Sequence, residues 1–265
     1  MIKLIITDMD GTLLDNSSNI NNEFWELYKE IKKRNIIFSV ASGRQYFSIK
    51  DKFESIKDEI IFIAENGAYV IFNDNEILSN TLNKNEVDLL LDIIKQIPDV
   101  KLVVYGKKTA YTNVKEESFF EESKDFLKKY EIVDNFDDID DKIFKFALYH
   151  HIDAEKNIYP YLKNIEAQFK ILIAQKKWID IMRMDTDKGY ALQKIQQKFN
   201  ISKNETMAFG DYLNDYIMLQ NAEYSFAMAN AHEKLKRIAK YIADSNDNNG
   251  FVKAVREYLI NNKNK

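Results

Sequence analysis

Cysteine is absent from the 265 residues. No disulfide, thiolate nucleophile or cysteine-held zinc or iron–sulfur centre is therefore available. Histidine is scarce: His150, His151 and His232 are the only three, and none falls in an HExxH pair or a histidine cluster for a metal. A structural role is expected for each. Proline occurs twice and glycine seven times, which excludes proline-rich linkers and low-complexity glycine tracts. Long apolar runs are also missing. The longest hold five residues, as at 60–64, whereas a membrane helix needs about 20. The opening Met1-Ile2-Lys3 leads into a segment carrying Asp8 and Asp10, unlike a secretory signal. A soluble, cytoplasmic protein is expected, with no membrane partner. An excess of positive charge is lacking too: 38 basic residues face 42 acidic ones, for a net charge of −4. No broad basic face is available, so no nucleic-acid partner is expected.

What remains is a globular composition, 45% hydrophobic and 30% charged, long enough for one large or two modest domains. Residues 3–7 form a short β-branched apolar run, expected to be a buried strand. Helical spacing of Phe24, Leu27, Tyr28 and Ile31 predicts a helix over 22–35. Strands at 36–41 and 60–64 and a helix at 45–53 continue the alternation, which points to βαβ units in a parallel sheet. Asn73-Asp74-Asn75 reads as a hairpin turn.

The pattern then changes. A helix at 85–97, a hairpin at 102–112, a strand at 143–149, a helix at 154–167 and a hairpin at 169–182 suggest an α+β unit with an antiparallel sheet. Residues 134–141 read as a solvated acidic loop. The paired lysines Lys107-Lys108 and Lys176-Lys177 mark turns. From Lys188 the alternation resumes: helices at 189–199, 214–220, 232–239 and 250–260, and strands at 206–209, 224–228 and 241–243. The fold class expected is α/β: a Rossmann-like, doubly wound parallel-sheet core with an inserted α+β cap. The core takes 1–82 and 185–265, and the cap takes 83–184.

The polar residues cluster on the carboxyl side of predicted core strands: Asp8-Met9-Asp10-Gly11-Thr12, Ser42-Gly43-Arg44, Glu65-Asn66-Gly67 and Gly210-Asp211 through Asn214-Asp215. Open α/β sheets bind ligands there. Lys188-Gly189, at a helix start, joins them. These residue types suit phosphoryl transfer. A carboxylate can be the nucleophile. Asp8 and Asp211 can hold Mg²⁺, which prefers oxygen ligands. Lys188 and Ser42 can hold phosphoryl oxygens. Asp10, two residues past Asp8, can protonate a leaving alcohol and then deprotonate water. Spacing i, i+2 in a strand places both acids on one face.

Asp8-Met9-Asp10-Gly11-Thr12-Leu13-Leu14 resembles the first motif, DxDGTLL, of the haloacid dehalogenase-like phosphohydrolases. Ala41-Ser42-Gly43-Arg44, Lys188-Gly189 and Gly210-Asp211 through Asn214-Asp215 resemble motifs two, three and four, in order. Glu65-Asn66-Gly67-Ala68 and Asp247-Asn248-Asn249-Gly250 are similar to the Cof-type branch, whose cap is inserted between motifs two and three. The resemblance implies that Asp8 is nucleophile and metal ligand. It makes Asp10 the general acid/base, with its backbone carbonyl on the metal, and Asp211 the third protein ligand. Thr12 steadies the loop. Ser42, Gly43, Lys188 and Asn214 bind phosphate, Arg44 and Asn66 face substrate, and Asp215 supports Lys188 or a metal-bound water. One departure is Asp185-Thr186-Asp187 ahead of Lys188, where uncharged residues are usual.

The function implied is a Mg²⁺-dependent phosphatase acting on small phosphomonoesters, either sugar phosphates or cofactor phosphates. A phosphotransferase or phosphomutase would use the same acids, and a non-catalytic phosphate-binding module would dispense with them. Nothing in the residue pattern sets an oligomeric state.

Overall fold

The computed structural model describes residues 1–261. In chain order it opens with β1 (Leu4–Asp8), α1 (Glu23–Lys33), β2 (Ile37–Ala41), α2 (Tyr46–Lys52), β3 (Ile61–Ala64), β4 (Tyr69–Phe72) and β5 (Asn75–Ser79). Next come α3 (Lys84–Ile94), β6 (Lys101–Gly106), β7 (Ala110–Thr112), α4 (Glu117–Ser123), β8 (Tyr130–Ile132) and β9 (Ile143–Tyr149). These are followed by α5 (Ala154–Asn157), α6 (Tyr159–Leu162), β10 (Phe169–Gln175) and β11 (Trp178–Arg183). The chain closes with α7 (Lys188–Phe199), β12 (Thr206–Gly210), α8 (Tyr216–Gln220), β13 (Tyr224–Met228), α9 (Glu233–Ile238), β14 (Tyr241–Ala243) and α10 (Gly250–Asn261). Among the described residues no helix is long and apolar enough to cross a membrane.

The chain divides into two compact units. The first takes Met1–Gly43, Phe53–Leu78 and the chain from Asp187 onward; the second takes Arg44–Lys52 and Ser79–Thr186. The first unit carries an eight-stranded sheet ordered β14-β13-β12-β1-β2-β3-β4-β5. Its strands from β14 to β3 are parallel, and β4 returns antiparallel to β3. Progression reverses between β1 and β12, so the topological switch point lies at their carboxyl ends. β1 is buried along its whole length, which explains its continuous apolar run. α1 buries Phe24, Leu27, Tyr28 and Ile31 and exposes its charged face. Its Phe24 ring meets those of Phe38 and Phe251 at 5.4 and 6.3 Å. Each such burial contributes about 1.5–3 kcal/mol. The Asn73-Asp74 turn has both residues at positive φ, 47° and 56°, the geometry of a tight hairpin.

The second unit holds a six-stranded sheet ordered β10-β11-β9-β6-β7-β8. Alternation divides its faces. Leu102, Val104, Phe146, Leu148, Ile179 and Ile181 share a core with Leu90, Leu91 and Ile94 of α3. Val103, Tyr105, Ala147 and Tyr149 pack with Phe119 of α4. A capping box starts α3: Glu86 N donates to Asn83 Oδ1 at 3.0 Å, and Asn83 N donates to Glu86 Oε2 at 2.7 Å. A buried ion pair, Lys145 Nζ to Asp180 Oδ2 at 3.0 Å, joins β9 to β11.

Three features of this unit depart from the sequence reading. The sheet is mixed, because β8 pairs parallel with β7; β8 and α4 lie in a stretch whose polar residues obscure any periodicity. The 154–167 helix is broken into α5, α6 and a 3₁₀ turn, with Pro160 in the first turn of α6. Proline has no N–H to continue a helix and disfavours helical backbone in the residue before it. The 134–141 loop is also more than solvent-facing, since Phe136 and Ile139 pack against the core beneath α3.

Candidate functional site

Sheet register assembles the candidate site. Asp8 pairs with Ala41, Ala41 with Ile63, and Thr7 with Phe209. The residues after β1, β2, β3 and β12 therefore leave the sheet side by side. Asp8 is the last residue of β1, and Ser42 directly follows β2. The Ser42 N–H donates to Ile63 O at 2.9 Å, and its carbonyl accepts from Asn66 N at 3.0 Å. Gly11 has φ +76°, and a Cβ there would collide with the Asp211 carboxylate; the turn after Asp10 thus requires glycine on two counts.

Lys188 is the first residue of α7. Asp187 caps that helix, its carboxylate accepting from Tyr190 N at 2.7 Å. The ammonium, 1% exposed, donates to Asp8 Oδ1 at 2.5 Å and to Asp215 Oδ1 at 2.7 Å. Asp215 Oδ2 accepts from the N–H groups of Asp211 and Tyr212 at 3.0 and 3.2 Å. Both Asp215 oxygens are thus committed to holding Lys188 and the turn after β12. Carboxylate oxygens of Asp8, Asp211 and Asp215 lie within 4.8 Å of one another. Thr12 Oγ1 donates to Asp211 Oδ1 at 3.4 Å.

The electrostatics of this cluster are unbalanced. Burial raises Asp8 well above the usual carboxylate range; Lys188 opposes the shift, while Asp215, Asp211 and Asp10 add to it. Burial and Asp215 push Asp211 up to about 7 against the pull of Lys188. Burial pulls the Lys188 ammonium down, but the charges of Asp215 and Asp8 outweigh it and leave it above the ordinary lysine value. Three acids lie around one buried ammonium, which bonds to two of them. A divalent cation on the carboxylates of Asp8 and Asp211 would cancel the surplus negative charge. The donor set is all oxygen, as a hard cation requires.

The remaining sequence-predicted residues are placed as follows. Asp10 lies beyond the end of β1 and is exposed, whereas Asp8 is buried; the i, i+2 strand argument does not extend to it. Asn66, at φ 56° and 4% exposed, accepts from Asn214 Nδ2 at 3.2 Å. The backbone at Gly43 passes so close to Asn66 Oδ1 that a Cβ would stand 2.8 Å from it. Arg44 belongs to the second unit. Its guanidinium donates to Asp125 O at 2.8 Å and lies 5.1 Å from the centre of the Phe126 ring. Of the unusual acids before Lys188, Asp185 pairs with Arg183 at 3.1 Å and Asp187 is the helix cap. That cap was missed, although an Asp directly before a helix start is a sufficient signal for one. Two of the histidines bond to local backbone: His150 Nδ1 accepts from Ile152 N at 3.2 Å, and His232 Nδ1 accepts from Lys234 N at 3.1 Å.

Residues 5–255 match the family model described as haloacid dehalogenase-like hydrolase. The chain is 33% identical to 5-amino-6-(5-phospho-D-ribitylamino)uracil phosphatase YbjI of Escherichia coli, over 97% of this chain and 96% of that protein. Among solved structures, SMU.1108c of Streptococcus mutans superposes with a TM-score of 0.87 at 28% identity, covering 98% of this chain and 100% of that one. The subclass IIB sugar phosphatase BT4131 shares the fold, with a TM-score of 0.83 at 23% identity over 97% and 99% of the two chains.

Proposed function

This chain belongs to the haloacid dehalogenase-like hydrolases and is a phosphatase of small phosphomonoesters; within that class we propose a Mg²⁺-dependent enzyme that forms an aspartyl phosphate on Asp8. The observation that carries this reading is the buried Lys188 ammonium shared by Asp8 and Asp215, with Asp211 beside them. Asp8 and Asp211 would hold the cation, together with the backbone carbonyl of Asp10. Mg²⁺ there screens the repulsion between carboxylate and phosphate and offsets charge on the phosphoryl oxygens. Lys188, the Ser42 hydroxyl, the Gly43 amide and Asn214 bind the phosphoryl group, with Asn66 holding Asn214. Asp8 attacks phosphorus, the bond to the leaving oxygen breaks, and Asp10 gives that oxygen its proton. Asp10 then takes a proton from water as the water attacks phosphorus and releases Asp8. The scheme does not use Arg44, whose guanidinium donates to Asp125 O.

The substrate class is a polyol or sugar monophosphate, of which the phosphoribityl group named for the Escherichia coli relative is one example. A panel of metabolite phosphates, assayed for released phosphate, tests the reading. Activity should require added Mg²⁺, vanish with chelator and return with excess Mg²⁺. Turnover indifferent to chelator would reject the metal site. Isomerised sugar phosphate without free phosphate would replace hydrolysis by mutase chemistry.

A pH dependence follows from Asp211. Its folded value of about 7 lies above its ordinary 3.8. Between these values the folded, cation-free protein keeps a proton that the unfolded chain has lost. This contribution to stability is full below about pH 4 and is lost as pH rises through 7. A cation needs the ionised carboxylate. Mg²⁺ should therefore raise Tm more at pH 8 than at pH 5.5, with a midpoint near 7. An increment equal at both pH values would show that Asp211 does not bind it.

A further inference from the structure

The Asp247-Asn248-Asn249-Gly250 motif has no part in the scheme above, yet the segment around it reaches back to the nucleophile loop. β1 ends at Asp8. The chain then turns on itself, with the N–H groups of Thr12, Leu13 and Leu14 all donating to Met9 O, at 3.2, 3.0 and 2.8 Å. Two asparagines donate to carbonyls of this turn. Asn230, just past β13, donates from Nδ2 to Gly11 O at 2.8 Å. Asn246, 7% exposed, donates from Nδ2 to Leu14 O at 2.9 Å and to Asn16 Oδ1 at 3.2 Å. The two are joined, since Asn246 N donates to Asn230 Oδ1 at 3.2 Å. The Asp247 carboxylate completes the strap by accepting from Asn16 N at 2.9 Å and from Asn16 Nδ2.

We infer that Asn230 and Asn246 are positioning residues for Asp10: they strap the turn that follows it to the end of β13 and to the segment before α10. Two segments more than 200 residues further along the chain reach the turn here, and the polar groups that tie them, Asn230, Asn16 and Asp247, are exposed. What the strap fixes is the backbone next to an exposed acid that has left the support of the sheet. A proton donor must stand about 2.6–3.2 Å from the oxygen it serves, and a misplacement of about 1 Å costs up to about 10²-fold in rate. The inference rests on the phosphatase reading and on Asp10 as the acid.

The test compares two substrates. An alkyl phosphate, such as a sugar monophosphate, needs its leaving oxygen protonated; p-nitrophenyl phosphate, whose leaving phenolate is stable, does not. Asn230→Ala removes an exposed side chain and should shift Tm by less than about 2 °C. It should lower kcat/KM for the alkyl phosphate by about tenfold and for p-nitrophenyl phosphate by less than about twofold. Asn246→Ala should show the same selectivity with a larger loss. In an Asp10→Asn background, Asn230→Ala should cost nothing further, because the group it positions is gone. Equal losses on both substrates, or full additivity with Asp10→Asn, would overturn the strap while leaving the phosphatase reading intact. Wild-type protein that releases phosphate from neither substrate would overturn both.

Discussion

Asp8→Asn should abolish turnover, by at least about 10⁴-fold in kcat, without loosening the fold. An amide cannot act as the nucleophile, and removal of a nucleophile typically costs this much or more. The stability side of the prediction is more discriminating. Asp8 is buried beside three other carboxylates, and burial raises its pKa despite the contact with Lys188. In the cation-free protein its charge is therefore a net liability. The neutral amide relieves that repulsion, and Lys188 keeps Asp215 at 2.7 Å. Tm of the cation-free variant should match or exceed that of the wild type, while the gain from Mg²⁺ shrinks. Trapping with acid after brief exposure to ³²P-labelled substrate should label the wild-type chain and leave the variant unlabelled. A variant that still turns over, or still takes up label, would remove Asp8 from the nucleophile's role.

Lys188→Met should have the opposite stability signature. Methionine fills similar space but leaves Asp8 and Asp215 buried with no cation; their side chains are 8% and 0% exposed. Breaking a buried pair by removing one partner costs about 3–5 kcal/mol. For a chain of this size that lowers Tm by roughly 10 °C. Activity should fall with it, since the same ammonium is assigned to the phosphoryl oxygens. The deficit should be greatest at high pH, where the stranded Asp8 is ionised, and smaller near pH 5, where the acid accepts a proton. Added Mg²⁺ should recover part of it. Thermal melts at pH 5 and pH 8, with and without Mg²⁺, read all three effects. A Tm unchanged at pH 8 would mean that Lys188 does not hold the acids together.

Much of this site was legible in the sequence because phosphoryl chemistry needs particular residue types directly after strands. Asp8, Ser42 and Asp211 could each be placed at a strand end from a short apolar run and the polar turn that follows it. Lys188 could be placed at a helix start. Roles within the cluster were less legible. Asp211 and Asp215 are four residues apart and chemically identical, yet one accepts a long bond from the Thr12 hydroxyl and the other spends both oxygens on Lys188 and on backbone N–H groups. Asn230 and Asn246 carried no local signal, since an asparagine in a loop is ordinary turn chemistry.

By itself the sequence determined which segments are strands and helices of the parallel sheet, the order of the four motifs and the presence of an inserted α+β unit. These follow from periodicity and local chemistry, which act over a few residues. Only the tertiary structure decided that Lys188 meets Asp8 across 180 residues, that Arg44 sits in the second unit, and that Asp10 stands exposed on a turn strapped from two distant segments. Such contacts depend on sheet register and on which carbonyls a turn leaves unsatisfied. Both are set by the packing of the whole unit, and neither is written in any short stretch of chain.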